Sequence, residues 1–337
     1  MLVSIITPCR NEVGFIEEFV ESALRQQLVG FTLELIVAEG ESSDGTRELL
    51  SRLCDEHSEL RVISNDGRIV STGLNKAIEL ARGEIVVRMD VHTTYEEDYV
   101  AECVSALNKS GAACVGGPWR AQGNGLKQQA IADAFQAPIG SGGAASRRLD
   151  YSGPCDTVYL GCWWKRDLVA FGGFDEKLVR NQDDELCFRL KLADRTIWQS
   201  HRIRSRYKPR ASFSALWRQF FQYGYWKVAV AKKHHQHASP RHLAPFLLVT
   251  GLSILSFIAL FSDPGKYLLA GSILIYLSAV ITGAALASRV KTPIAIVYVA
   301  IAIAYMHFSY GFGYGLGLKD FRLGRGNARS NMSSLTR

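Results

Sequence analysis

Glu84-Ile85-Val86-Val87-Arg88-Met89-Asp90-Val91-His92 is the stretch from which the fold can be read. A short β-rich apolar run ends abruptly in Asp-x-His. Open α/β sheets bind their ligands outside the carboxyl ends of the strands, so polar groups at such an end mark a candidate site. Asp90 and His92 stand two residues apart and share one face of an extended segment. Both side chains suit Mn2+, and the carboxylate also suits Mg2+. This edge reads as a seat for a divalent metal, Mn2+ or Mg2+, and a nucleotide diphosphate. Asp-x-His recurs by chance in many chains, so the neighbouring segments carry the argument.

Residues 2–7 form a β-branched run that reads as a buried strand, ended by the loop Pro8-Cys9-Arg10-Asn11-Glu12. Apolar residues at helical spacing follow over 14–27. A second strand, 33–38, runs into Glu39-Gly40-Glu41-Ser42-Ser43-Asp44-Gly45-Thr46, a polar turn with capping chemistry before a helix over 47–54. A third short strand spans 60–63. A helix over 71–81 closes at Arg82-Gly83 and leads into the Asp90 strand. Such alternation means a mostly parallel, Rossmann-like sheet with helices on both faces. Glu39 and Asp44 also make sense as turn and cap residues, and Asp90 as a cap. Yet the polar stops fall together at the carboxyl ends of successive strands, which form one crevice.

A length of 337 residues allows one large or two modest domains. Polar and charged residues crowd before about Arg241, and long apolar runs follow. The net charge of +7 is concentrated between Arg195 and Lys233 and again after Lys319. Basic clusters beside apolar spans point to anionic lipid headgroups. No nucleic-acid module signature is present, which sets nucleic acid aside as a partner. Seven cysteines without zinc spacing or a secretory leader read as free thiols in a reducing compartment. Residues 2–7 are too short for a signal-peptide core and stop at Pro8, so this part of the chain is expected in the cytosol.

Ser4-Ile5-Ile6-Thr7-Pro8-Cys9-Arg10-Asn11-Glu12, Val37-Ala38-Glu39-Gly40-Glu41-Ser42-Ser43-Asp44-Gly45-Thr46, Gly73-Leu74-Asn75, Ala81-Arg82-Gly83-Glu84 and Asp90-Val91-His92 occur in this order. On these residues the chain resembles a family 2 glycosyltransferase of the GT-A fold, over about residues 1–230. It is similar to the membrane-anchored glucosyltransferases of succinoglycan-type exopolysaccharide synthesis, which carry Asp-Ala-His where most relatives carry Asp-x-Asp. The resemblance implies that Glu39 contacts the uracil N–H, where most relatives have Asp. It implies that Pro8, Arg10 and Glu12 line the nucleoside pocket, with Asp44 on the donor side. Asp90 would meet the ribose or metal, and His92 would be the metal ligand reaching the diphosphate.

The acidic run Asp183-Asp184-Glu185 opens an amphipathic segment, as helix-dipole chemistry favours. The family's catalytic Glu-Asp pair falls on Gln182-Asp183, so the resemblance implies Asp183 as the base. Gln182 cannot act as an acid and is read as an acceptor-side residue. Direct displacement needs one carboxylate to take the acceptor proton. No second strongly placed carboxylate suggests a double displacement, so inversion is expected. Trp163 and Trp164 read as a sugar-stacking platform or as core. Residues 213–233 interleave aromatic and basic residues, as an interfacial helix does. Gln222-Tyr223-Gly224-Tyr225-Trp226 resembles the Gln-x-x-Arg-Trp motif of processive relatives, with Tyr225 in the Arg place. That implies Gln222 and Trp226 at the acceptor end, and single addition. His234, His235 and His237 read as a solvated cluster.

Residues 243–261, 267–287 and 293–318 are three apolar spans, each of the length that crosses about 30 Å of hydrocarbon. Arg289 and Lys291 then lie inside, as the positive-inside rule prefers, whereas three crossings put Lys319, Arg322, Arg325 and Arg329 outside. The expected organisation is a GT-A catalytic domain over 1–212, an amphipathic interfacial region over 213–241, and a transmembrane region with a basic tail over 242–337. The resemblance implies a metal-dependent enzyme of a bacterial inner membrane, facing the cytosol. It would pass glucose from a UDP-sugar to a lipid-linked, polyprenyl diphosphate saccharide. Polyprenyl phosphate as acceptor, or a non-catalytic membrane scaffold, are the rival readings, and a homo-oligomer is compatible with either.

Overall fold

The computed structural model describes residues 1–236, 239–324, 328–329 and 332. His237 and Arg325 of the sequence reading lie outside the described residues. The chain opens with β1 (Leu2–Cys9), α1 (Ile16–Leu24), β2 (Thr32–Glu39), α2 (Thr46–Glu56), β3 (Leu60–Ser64), α3 (Val70–Leu80) and β4 (Ile85–Arg88). It continues through β5 (Thr93–Tyr95), α4 (Tyr99–Ser110), β6 (Cys114–Gly117), α5 (Gly125–Gln136), α6 (Pro138–Ser141), β7 (Gly153–Pro154) and β8 (Tyr159–Trp164). Then come α7 (Lys165–Ala170), α8 (Gln182–Leu192), β9 (Ile197–Gln199), β10 (Ser205–Tyr207), α9 (Phe213–Lys233), α10 (Ala244–Ala259), α11 (Asp263–Ala287) and α12 (Pro293–Gly317).

Two compact units result. One holds Met1–Arg120 with Arg148–Tyr207; the other holds Ala121–Arg147 with Lys208–Arg337. The first unit thus ends at Tyr207, and residues 121–147 join the C-terminal helices in the second.

The first unit is built on an eight-stranded sheet in the order β3-β2-β1-β4-β8-β6-β9-β7. β1 to β4 are mutually parallel, whereas β8 runs antiparallel to both β4 and β6. Strand alternation explains the layers. Val3, Ile5, Leu35, Val37, Ile85 and Val87 pack on the side of α1, α2 and α4. Ile6, Ile36, Ala38 and Val86 pack on the opposite side with Leu74 and Ala77 of α3 and Leu186 and Leu190 of α8. Each such buried aliphatic side chain contributes about 1.5–3 kcal/mol, which is why the strands read as almost unbroken apolar runs. The chain leaves β1 toward β2 on one side and returns to β4 on the other. That reversal opens a crevice outside the ends of β1 and β4.

At the opposite end, Glu34 joins three segments. Its carboxylate accepts from Ser4 Oγ at 2.7 Å, the Arg82 N–H at 2.6 Å and Arg82 Nε at 2.9 Å. Gly83 belongs there for lack of space: a Cβ would stand 2.6 Å from Ser4 Oγ and 2.8 Å from the Leu2 carbonyl.

The second unit is helical. α9 and α12 pack backbone to backbone, because a Cβ at Gly224 would strike the Tyr310 carbonyl and one at Gly313 the Phe221 carbonyl. Small residues permit such approaches. α9 thereby buries Leu216, Tyr225, Trp226 and Val228 within its unit. Asp133 of α5 accepts from the Arg289 N–H at 2.9 Å and from Gln129 Nε2 at 2.7 Å, which ties α5 to the α11–α12 turn. Among the described residues two helices, Asp263–Ala287 and Pro293–Leu323, are long and apolar enough to cross a membrane. The third expected span is shorter: Ala244–Ala259 has 16 helical residues, about 24 Å at 1.5 Å per residue, which falls short of the hydrocarbon thickness. All seven cysteines are free thiols.

Candidate active site

The crevice is framed by two loops stitched together. Asn11 N–H donates to Ser42 Oγ at 2.8 Å, and the Ser43 N–H donates to Asn11 Oδ1 at 2.9 Å. Glu12 N–H donates to Thr46 Oγ1 at 2.8 Å, and Val13 N–H to Asp44 Oδ2 at 3.2 Å. Asn11 and Glu41 adopt the left-handed conformation these turns need. Asp44 Oδ1 also accepts from the Thr46 N–H at 3.1 Å and from its hydroxyl at 2.5 Å. Both Asp44 oxygens thus work as a cap and latch between the two loops.

Glu39 ends β2 with its side chain 5% exposed. Oε1 accepts from the Ser42 N–H at 2.5 Å, and Oε2 accepts from Arg47 Nε and Nη2, each at 3.1 Å. Burial opposes its ionisation, but the Ser42 and Arg47 donors outweigh that and hold the carboxyl below the usual range. Beside it opens a cavity of about 580 Å³ lined by Glu39, Glu41, Ser42, Arg47, Val62, Ile63 and Ser64. Pro8 and Arg10 stand on the adjoining β1 end, with Arg10 packed over Gly40. Burial, together with Glu12, Glu39 and Asp44, pushes the Cys9 thiol up. It stays protonated and is no nucleophile.

At the end of β4, Arg88 is buried and forks onto Asp90: Nε to Oδ1 at 3.0 Å and Nη2 to Oδ2 at 3.2 Å. Its Nη1 stands 3.6 Å from Asp183 Oδ2. Burial opposes the guanidinium charge, but Asp90 and Asp183 more than restore it. Tyr95 fixes the Asp90 peptide, its hydroxyl accepting from the Asp90 N–H at 2.6 Å and donating to the Asp90 carbonyl at 3.1 Å. His92 Nδ1 lies 3.4 Å from Glu12 Oε1. Asp90 and His92 do not share a face of an extended segment as their spacing suggested: β4 ends at Arg88 and the chain turns, with the Thr93 N–H donating to the Asp90 carbonyl at 3.1 Å. Among the described residues no three His, Cys, Asp or Glu side chains group as a metal cage. The donor set still fits a cation shared with a ligand. A carboxylate accepts at about four positions, and carboxylate and imidazole are both ligand types for such an ion.

Asp183 reaches this rim from the first turn of α8. The preceding loop is pinned to α3: Asn75 Nδ2 donates to the Phe174 carbonyl and the Phe174 N–H donates to Asn75 Oδ1, both at 2.8 Å. Ser71 Oγ donates to the Leu178 carbonyl at 2.9 Å. Withdrawal from water raises the Asp183 carboxyl above its ordinary range, and Arg88 pulls it back part of the way. Its side chain remains 40% exposed. Glu185 lies in the first turn of α8, as read from sequence, and is also fully buried and held by Arg189 at 2.9 Å. Gln182 is 6% exposed.

The two tryptophans of β8 are not brought to the rim. Trp163 pairs with Val86 and Trp164 with Ile85, at the opposite end of β4 from Asp90. Trp163 is 2% exposed and packs edge-on to Phe174, a core role; Trp164 is covered by Arg166. Strand direction decides this: β8 runs antiparallel to β4 and carries its tail away from the crevice. Its head, Tyr159, is what arrives, its hydroxyl 2.8 Å from Thr93 Oγ1. Trp119 stacks on Tyr159 with centroids 5.1 Å apart, and Tyr207 meets both edge-on. Tyr207 in turn faces the His92 ring at 6.5 Å. Trp119 enters this wall just past the end of β6, after Gly117-Pro118. Gln222 and Trp226 belong to the second unit and are buried in it, with Trp226 Nε1 donating to the Met332 carbonyl at 3.0 Å.

The family model of glycosyl transferase family 2 matches residues 4–161. The succinoglycan biosynthesis protein ExoA of Rhizobium meliloti (strain 1021) is 32% identical over 252 residues, covering 72% of this chain and 73% of its own. A glucuronosyltransferase of Methanococcus voltae that acts on dolichyl N-acetyl-α-D-glucosaminyl phosphate is 22% identical over 76% of this chain and 84% of its own. Among solved structures, the mannosyltransferase PcManGT from Pyrobaculum calidifontis, in complex with GDP-Man and Mn2+, superposes with a TM-score of 0.66. It is 20% identical and covers 94% of this chain and 87% of that one.

Proposed function

Because this chain belongs to glycosyl transferase family 2, we propose that it is an inverting sugar transferase. It takes a UDP-sugar, with glucose the first candidate, and extends a lipid-linked saccharide at the cytosolic face of a membrane in exopolysaccharide or other surface-glycan synthesis. The observation that carries the reading is the meeting of Asp90 and Asp183 across Arg88 at the crevice.

Each residue then has a physical task. Glu39 presents acceptor oxygens and Arg47 presents N–H donors beside the cavity walled by Val62 and Ile63. Uracil carries one N–H between two carbonyls, so a carboxylate next to a guanidinium complements it. Asp90 and His92 would hold a divalent metal, Mn2+ or Mg2+, on the diphosphate. That ion would supply the positive charge that stabilises the departing nucleotide. The PcManGT complex with Mn2+ supports a metal of this class. Asp183 takes the proton of the acceptor hydroxyl as that oxygen attacks the anomeric carbon from the side opposite the leaving phosphate, which inverts the centre. Trp119 and Tyr159 offer an apolar face for a sugar ring near His92. The two long apolar helices and the similarity to a succinoglycan biosynthesis protein support a lipid-borne acceptor.

The test is UDP release by purified protein supplied with Mn2+, UDP-glucose and a membrane lipid extract, with mass spectrometry of the lipid-linked product. One added hexose of β configuration is expected. Turnover of a GDP-sugar but no UDP-sugar would overturn the donor assignment, and no release with any nucleotide sugar would overturn catalysis.

A further inference from the structure

Resting on the reading of Asp90 as the donor-side carboxylate and Asp183 as the base, we propose that Arg88 is a positioning residue for the transfer. It holds those two groups in one frame, so that the donor site and the acceptor base are built together. Arg88 follows the alternation of β4 onto the face shared with α3 and α8, where an arginine replaces the aliphatic residue the pattern calls for. Its side chain is 5% exposed. The Nε and Nη2 fork sets the plane of the Asp90 carboxylate, at 3.0 and 3.2 Å. The third nitrogen, Nη1, is buried, makes no hydrogen bond, and faces Asp183 Oδ2 at 3.6 Å. Phe174 lies under the guanidinium at 6.0 Å, and Asn75 holds Phe174 through two backbone bonds. The planar ion is thereby sandwiched between the β4 end and the loop that delivers α8.

A lysine cannot reproduce this. An ammonium is a point charge that satisfies one carboxylate plane at a time, whereas the guanidinium spans both in a fixed fork. An interior ion that only stabilised the fold would change the amount of folded protein and leave the kinetic constants of the folded fraction alone.

The experiment compares Arg88→Lys, Arg88→Met, Asp183→Asn and Asp90→Asn in the full-length, membrane-bound protein, with rates normalised to the folded fraction. Arg88→Met is expected to lower kcat at least a hundredfold and raise the UDP-sugar KM at least tenfold, with Arg88→Lys intermediate in both. Asp183→Asn is expected to lower kcat alone. Added to Asp90→Asn, the Arg88→Met change is expected to raise the donor KM by much less than it does alone, because the fork is already broken. Should Arg88→Met fail to fold, Arg88→Lys carries the same two readouts. Arg88 variants with kcat and donor KM within twofold of the parent, beside a crippled Asp183→Asn, would overturn this proposal and leave the function standing. A fully active Asp183→Asn would overturn the base assignment and the proposal with it.

Discussion

Replacing Asp183 by asparagine keeps the side chain's outline and removes its capacity to accept a proton. General-base catalysis typically supplies about 10²–10⁴-fold, so the barrier should rise by about 2.7–5.4 kcal/mol at 1.36 kcal/mol per decade. Donor binding should be spared. The ion-pair partner of Asp183 is Arg88 Nη1, and the nucleoside cavity is lined by other residues. The pH profile supplies a second signature. Withdrawal from water raises the Asp183 carboxyl, Arg88 opposes the rise, and Asp184 and Asp90 add to it. The base works only when ionised, so kcat should fall as pH drops through a value above the ordinary aspartate range, and that limb should vanish in the variant. The sign for stability runs the other way. A raised folded-state pKa means the folded protein binds this proton more tightly than the unfolded chain, so ionisation as pH rises costs folding free energy. Asparagine carries no such cost, and its Tm at neutral pH should not lie below the parent's. Initial rates of UDP release at saturating acceptor, donor KM and thermal unfolding check all three. A variant that keeps kcat and loses donor affinity would refute the reasoning, since it would put Asp183 on the donor side.

Trp119→Ala should raise the acceptor KM about tenfold, the value of about 1.4 kcal/mol of lost ring contact, with UDP binding unchanged by calorimetry and Trp119→Phe in between. Glu34→Gln should destabilise the protein by about 1.5–3 kcal/mol through weakened charged hydrogen bonds. Burial opposes Glu34 ionisation, but Ser4 and Arg82 outweigh it and lower the pKa. Its contribution is therefore present above the ordinary glutamate value and lost as pH falls through the lowered one, and the variant should show a flatter acid limb in Tm. Gly313→Ala should cost about 1–3 kcal/mol or more by forcing α12 off the Phe221 carbonyl. Gly315→Ala, whose Cβ would meet only the Phe246 ring at 3.4 Å, should be neutral in the same unfolding assay.

The parallel half of the sheet was legible in the sequence because strands buried on both faces are mostly apolar, and 2–7, 33–38 and 84–89 are, apart from Ser4, Thr7, Glu34, Glu84 and Arg88. Asp90 was read as following a strand end, and it does, but the extended face it was expected to share with His92 is a turn. Asp44 could be read as turn or ligand because the two have the same local sequence, and only the fold shows its three hydrogen bonds as cap and latch. The tryptophans were misplaced because sequence carries no strand direction. Trp163 and Trp164 lie at the wrong end of β8 only because β8 runs against β4. Arg88 stands two residues before Asp90, and its local sequence assigns it no role. Its meaning depends on α8 docking across the sheet, a contact distant in sequence that no local pattern encodes. Local periodicity determined which residues face a sheet and where a strand stops. The packing of remote segments decided which of those residues share a charge, since a Coulomb contact depends on distance through space and not along the chain.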